Sequence, residues 1–185
     1  KRQPEFVVDC GALPSAMLNN PLEKYSGLPA FEAIRPEHVE PAVATVLADA
    51  RERVAKLGNE EPTTVDWAVE LERITDAVHR VWGPVVHLNA VLSSPELRAA
   101  YNECLPLITE FGTELAQNRE LHAGFVALEK CVDPDSAIER QLITHALRDF
   151  RLAGVALDDD KRRRFADLAF ISSTFFRLFD LYTYL

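Results

Sequence analysis

The chain has 185 residues and a formal net charge of −9, with 48% hydrophobic and 26% charged residues. These proportions exclude disordered, collagen-like and low-complexity classes, and a chain of this length can bury one sizeable core. The acidic balance argues against nucleic acid as a partner, because binding it needs a basic face that displaces counterions.

Residues 1–34 read as irregular, since Pro4, Pro14, Pro21, Pro29, Gly11 and Gly27 recur too often for a long helix. The chain opens on Lys1 and its single methionine is Met17, so residues 1–18 are expected to be an irregular leader, of which 1–16 precede the natural start or are foreign to the natural protein. No apolar run follows Lys1-Arg2, and none reaches the roughly 18 residues of a membrane span, so no membrane partner is expected.

Pro36 suits a first helical turn. From it runs an apolar stripe of Val39, Ala42, Val43, Val46, Leu47, Ala50, Val54 and Leu57 at helical spacing, with Gly58 expected as the residue just past the helix end. A second helix is expected to open near Thr64 to Asp66. Its stripe is Trp67, Leu71, Ile74, Val78, Val81, Val85, Leu88 and Leu92, and Gly83-Pro84 inside it predicts a kink. Ser94-Pro95-Glu96 is a helix start, Ser94 as N-cap and Pro95 in the first turn. The helix it opens carries Leu97, Tyr101, Cys104, Leu105, Ile108, Phe111 and Leu115, and Pro106 predicts a second kink.

A short helix is expected over about 120–130. A fifth, with Ile138, Leu142, Ile143, Ala146, Leu147 and Phe150, is closed by Gly154. A sixth begins at Asp158 to Asp160. The fold class is all-α, a bundle of long, partly proline-kinked antiparallel helices joined by short turns.

Local chemistry is sparse. The histidines are His38, His79, His87, His122 and His145, and none has another four residues away, the spacing at which two rings on one helix share a metal. Structural histidines are the simpler reading. The seven glycines lie too far apart for a phosphate loop, and no G-x-S-x-G is present. Cys10, Cys104 and Cys131 are too widely spaced for a disulfide framework and read as reduced thiols of a cytoplasmic protein. Nothing local favours a Cys/His thiol site.

Asp158-Asp159-Asp160 reads as a helix N-terminus answered by Lys161 to Arg164, in preference to a metal site or a nucleic-acid patch. Asn89, just after the Pro84 kink, would satisfy exposed backbone there or, as the sharper alternative, line a ligand channel with His87. No catalytic, metal-binding or substrate-binding residue is assigned in this chain.

Several separated strings carry a resemblance. Asn20-Pro21-Leu22 and Gly27-Leu28-Pro29-Ala30-Phe31 lead into Ile34-Arg35-Pro36-Glu37-His38-Val39-Glu40-Pro41-Ala42. Trp82 to Val91 (WGPVVHLNAV) is followed by Ser94 to Tyr101 (SPELRAAY), and Ala146 to Phe150 (ALRDF) by Ala153-Gly154-Val155. Over residues 19–169 the chain resembles the N-terminal part of bacterial members of the thimet oligopeptidase family of zinc metallopeptidases.

That resemblance implies a mostly helical protein whose two lobes flank a deep channel and which cuts short peptides in the cytoplasm. It implies a zinc held by an H-E-x-x-H helix and a later glutamate, in the C-terminal half of such enzymes. No position here matches those residues. Zinc is therefore implied for the full-length enzyme and no cofactor for this chain. The expected partners are short peptides and the remaining C-terminal catalytic part.

The match fails after about Ala169, where the family continues with a polar amphipathic helix. Six of the chain's sixteen aromatics fall instead in its last sixteen residues. Residues 170–185 are read as a divergent aromatic tail of a truncated or frame-disrupted member. Two readings follow. One is an inactive fragment that forms part of the substrate-channel wall of a peptidase. The other is a stand-alone helical peptide- or protein-binding module.

Overall fold

The computed structural model describes residues 20–23, 27–168 and 171. The leader over 1–18, Cys10 and, apart from Ile171, the aromatic tail lie outside the described residues. Two short 3₁₀ turns, Phe31–Ala33 and Pro36–His38, lead into five α-helices: α1 (Val39–Gly58), α2 (Asp66–Val91), α3 (Pro95–Ala116), α4 (Arg119–Cys131) and α5 (Ala137–Leu152). A sixth, α6, runs over 159–168. No strand occurs among the described residues, so the fold is all-α.

The apolar stripes become the core. Every stripe residue of α1 is buried except the half-buried Val46, because a 3.6-residue period puts all of them on one face. Along α2, Trp67 through Leu88 are buried while the last member, Leu92, is 73% exposed. Ile138, at the start of α5, is likewise exposed.

Cross-helix contacts set the directions. Leu57 of α1 accepts through its carbonyl from Trp67 Nε1 of α2 (3.1 Å), and Arg53 pairs with Glu70 (2.7 Å). Residue numbers rise on α1 as they fall on α2 toward their shared turn, so the two are antiparallel. Arg51 pairs with Glu114 of α3 (2.9 Å), and Ala55 shares a crevice with Asn118 further along. Here the numbers rise together, so α3 runs parallel to α1. The three form an up-down-up layer.

The helix ends follow local chemistry. Ser94 Oγ accepts from the Leu97 amide (3.1 Å), capping α3 as its sequence predicts. Asn118 caps α4 in the same way through Leu121 N (2.9 Å). After α5, Gly154 takes φ +82°. The Val155 amide reaches back to Phe150 O (3.1 Å) and the Gly154 amide to Arg151 O (3.1 Å), with Phe150 and Val155 both buried. This is a Schellman closure, and it needs the left-handed residue that glycine supplies.

The structure corrects two details. Gly58 does not stand past the end of α1; it is the helix's last residue and lacks a positive φ. Asn59 ends the helix instead. Its amide turns back to Lys56 O and its side-chain Nδ2 donates to Ala55 O (2.8 Å), which satisfies carbonyls a left-handed glycine would otherwise serve. Pro36 heads a 3₁₀ turn, and α1 itself starts at Val39. Pro41 then falls in the first turn of α1, where its missing N–H costs nothing. Pro84 and Pro106 both lie inside helices that continue through them.

Candidate functional site

Three of the family-like strings meet at one end of the bundle. Asn20, 3% exposed, donates from Nδ2 to His38 O (2.8 Å) and accepts at Oδ1 from the Leu22 amide (3.0 Å). One buried amide thus pins the incoming segment to the start of α1 and lets Leu22 fill the core. His38 Nδ1 accepts from the Arg35 amide (3.0 Å), so this ring serves as a cap.

Phe31 lies against the His87 ring on α2, centroids 5.3 Å apart. Trp82 stacks on Tyr101 of α3 at 4.9 Å and 14°, tying the last turns of α2 to the first turns of α3. At the connection, Ser93 Oγ donates to Asn89 Oδ1 (3.5 Å) and accepts from Arg98 Nε (3.3 Å) and Nη2 (3.2 Å).

His87 and Asn89 are both here but not together. Two residues along a helix is a rotation of about 200°. His87 is exposed beside Phe31, while Asn89 is half-buried and turned to Ser93. The exposed face of α2 changes character along its length. Glu72, Asp76, His79 and Arg80 make its first part polar. Gly83, Val86, His87, Ala90 and Val91 continue the same face at i, i+3, i+4, i+7 and i+8, and all five are exposed. Val86 is 40% and Val91 64% open to solvent. Periodicity counted the buried stripe of α2 and passed over this second one; the signal was there as a run in which nearly every residue from Gly83 to Leu92 is apolar.

The remaining candidates are dispersed. His79 is exposed on α2, His122 sits edge-on to Phe150 (5.8 Å) between α4 and α5, and His145 pairs with Gln141. The Cys104 thiol is fully buried and its pKa is pushed up to about 11, first by burial and then by the charges of Glu40 and Glu103, so it is a poor nucleophile. Cys131 is exposed at the end of α4.

Asp158 Oδ1 accepts from the Lys161 amide (2.9 Å), and Asp158, Asp159 and Asp160 pair with Lys161, Arg162 and Arg163 at i,i+3. Arg119 adds a contact to Asp159 (3.3 Å). The acidic triplet is thus the neutralised start of α6. Among the described residues no three His, Cys, Asp or Glu side chains gather where they could hold a metal ion, so the donors present do not fit the zinc site of a metallopeptidase. No helix among them is long and apolar enough to cross a membrane.

The model of the neurolysin/thimet oligopeptidase N-terminal domain family matches residues 43–162, and the chain belongs to that family. It is similar to oligopeptidase A of Haemophilus influenzae, 36% identical over 154 residues that make up 82% of this chain and 23% of the relative. Oligopeptidase A of Escherichia coli is also 36% identical, over 82% of the chain and 23% of the relative. A probable cytosolic oligopeptidase A of Arabidopsis thaliana is 32% identical over 83% of the chain. The chain therefore spans about a quarter of the length of the curated relatives it matches.

Proposed function

We propose that this chain is the non-catalytic N-terminal part of an oligopeptidase A-type zinc metallo-oligopeptidase. It forms part of the substrate-channel wall and has no peptidase activity alone. The observation that carries the reading is the family match over residues 43–162 in a chain whose described residues gather no metal-ligand set. The strings behind the resemblance are also the ones that make the bundle's joints, through Asn20–His38, Phe31–His87 and Trp82–Tyr101. On this reading they build a scaffold. Zinc, short peptides as substrates and a cytoplasmic setting belong to the complete enzyme.

The test is a peptide-cleavage assay. The isolated chain with zinc should show no turnover above buffer. An Escherichia coli oligopeptidase A whose matched N-terminal quarter is replaced by this chain should cleave short peptides and lose that activity to a chelator. Metal-dependent turnover by the isolated chain would overturn the inactivity. A well-folded chimera without activity would overturn the assignment as a peptidase part.

A further inference from the structure

The entry of the chain into α1 is closed by a side chain that can change its charge. Arg35, extended at φ −127° and ψ 158°, precedes the 3₁₀ turn Pro36–His38. Its amide points back over the turn and donates to His38 Nδ1 (3.0 Å). A glutamate or glutamine three residues into a helix ordinarily takes this backbone donor in a capping box. Here an imidazole takes it, and a ring nitrogen accepts only while it carries no proton. The neutral ring therefore holds its proton on Nε2, and a second proton has only Nδ1 to go to.

His38 also ties down what comes before it. Its carbonyl accepts from Asn20 Nδ2 (2.8 Å), Asn20 Oδ1 holds the Leu22 amide (3.0 Å), and Leu22 is buried in the core. One residue thus caps the turn with its ring and anchors the leading segment with its backbone. The ring is half-buried, so water reaches it.

The charged and titratable groups of the surrounding elements are few. On the leading segment and the turn they are Glu23, Glu32 and Glu37, all exposed, and Arg35, whose guanidinium donates to Glu32 O (2.7 Å) and Ile34 O (3.0 Å). On α1 and α3 they are Glu40 and Glu103, whose charges both reach the Cys104 thiol, with Glu96 and Arg98, the latter turned to Ser93. On α2 it is His87, against Phe31. These charges set how readily the ring takes a proton. The bond from Arg35 sets what the proton does.

We propose that the neutral ring of His38 is an acid-sensitive latch on the leading segment. A proton on Nδ1 replaces an acceptor with a donor, sets it against the Arg35 N–H and opens the cap. The sign follows from the bond: the latch is closed while the ring is neutral and is released as pH falls and the ring charges. The release is local to residues 20–38, because the buried faces of α1, α2 and α3 do not depend on it.

The test is backbone amide hydrogen exchange on the full chain at about pH 7.5 and about pH 5.5, on either side of ordinary histidine titration, each rate divided by its intrinsic value. Protection at the Arg35 and Leu22 amides should fall about fivefold at the lower pH, the worth of one ordinary hydrogen bond, while amides in the middle of α1 keep theirs. His38→Gln keeps an acceptor at the capping-box position without a titrating ring, and its protection should be the same at both pH values. His79→Gln, at an exposed site on α2, should respond to acid as the parent does.

Protection unchanged by acid in the parent, or lost equally in His38→Gln, would overturn the latch. So would a loss at Arg35 that does not reach Leu22. If His38→Gln fails to fold, the imidazole nitrogen signals of the parent decide. Nδ1 should be unprotonated at the higher pH, and the ring should charge over the same range in which Leu22 loses protection. A ring that charges while Leu22 stays protected overturns the proposal.

Discussion

The indole of Trp67 occupies the space that a side chain at position 124 would need. A Cβ built on Gly124 would lie 2.5 Å from Cη2 and 2.6 Å from Cζ2 of the ring. The ring cannot retreat easily. Its Nε1 is bonded to Leu57 O (3.1 Å), and Phe125 meets it edge-on at 5.2 Å. The glycine is the notch through which α4 seats on the α1–α2 pair. Gly124→Ala should destabilise the chain by about 1–3 kcal/mol through overpacking, measured by urea unfolding. An unchanged midpoint would show that the indole shifts freely.

Gly112 is the counterpart. It is exposed in the interior of α3, and a Cβ there meets nothing within 4 Å. Gly112→Ala should raise stability by about 0.5–1 kcal/mol, because alanine loses less backbone freedom on entering a helix. Gly154→Ala should do the opposite, by about 1 kcal/mol, since its φ is +82°. Thermal melts of the two variants should move in opposite directions.

Asn20 is the buried polar residue whose loss should loosen the leading segment. Asn20→Ala leaves the Leu22 amide and His38 carbonyl without their partner, at a cost of about 1–3 kcal/mol. Asn20→Asp should not rescue it. A carboxylate can still accept from Leu22 N, but its other oxygen would face the His38 carbonyl where an N–H donor is required. Hydrogen exchange at the Leu22 amide should quicken in Asn20→Ala, and urea unfolding should show both variants less stable than the parent; an aspartate variant as stable as the parent would refute this account.

The thiols should separate cleanly. At pH 8, a maleimide should label Cys131 in the native chain and reach Cys104 only on unfolding. The pH dependence follows from the same burial. The folded pKa of Cys104 is raised from its ordinary 9.0 to about 11. The folded state therefore holds its proton more tightly than the unfolded state. The associated stability is complete below about pH 9 and is lost as pH climbs through about 11. Cys104→Ala should flatten that alkaline decline, at a cost in packing, in unfolding curves taken from pH 8 to 11.

Helix positions were legible because burial along a helix imposes a period that a linear sequence shows directly. The stripe from Val39 to Leu57 and that from Trp67 to Leu88 each fold as one buried face. The Ser94 cap and the Gly154 closure were legible too, because each is a bargain between neighbours a few residues apart. The acidic triplet of Asp158 to Asp160 was read as a helix start for the same reason.

Other features depended on distance in space. Gly58 was expected to end α1 by a left-handed turn, yet Asn59 serves the final carbonyls with its own side chain, and composition does not choose between these endings. The pairing of Phe31 with His87, the notch at Gly124, and the parallel course of α1 and α3 join residues dozens of positions apart.

The sequence by itself determined an all-α chain, the faces its helices bury and the family whose N-terminal part it matches, because these depend on local spacing and on strings of neighbours. Only the tertiary structure decided which apolar residues stay uncovered. Leu88 and Leu92 continue one apolar stripe, yet Leu88 is buried and Leu92, the residue that ends α2, stands in solvent, because burial depends on which neighbours reach a position in space and local spacing does not encode that.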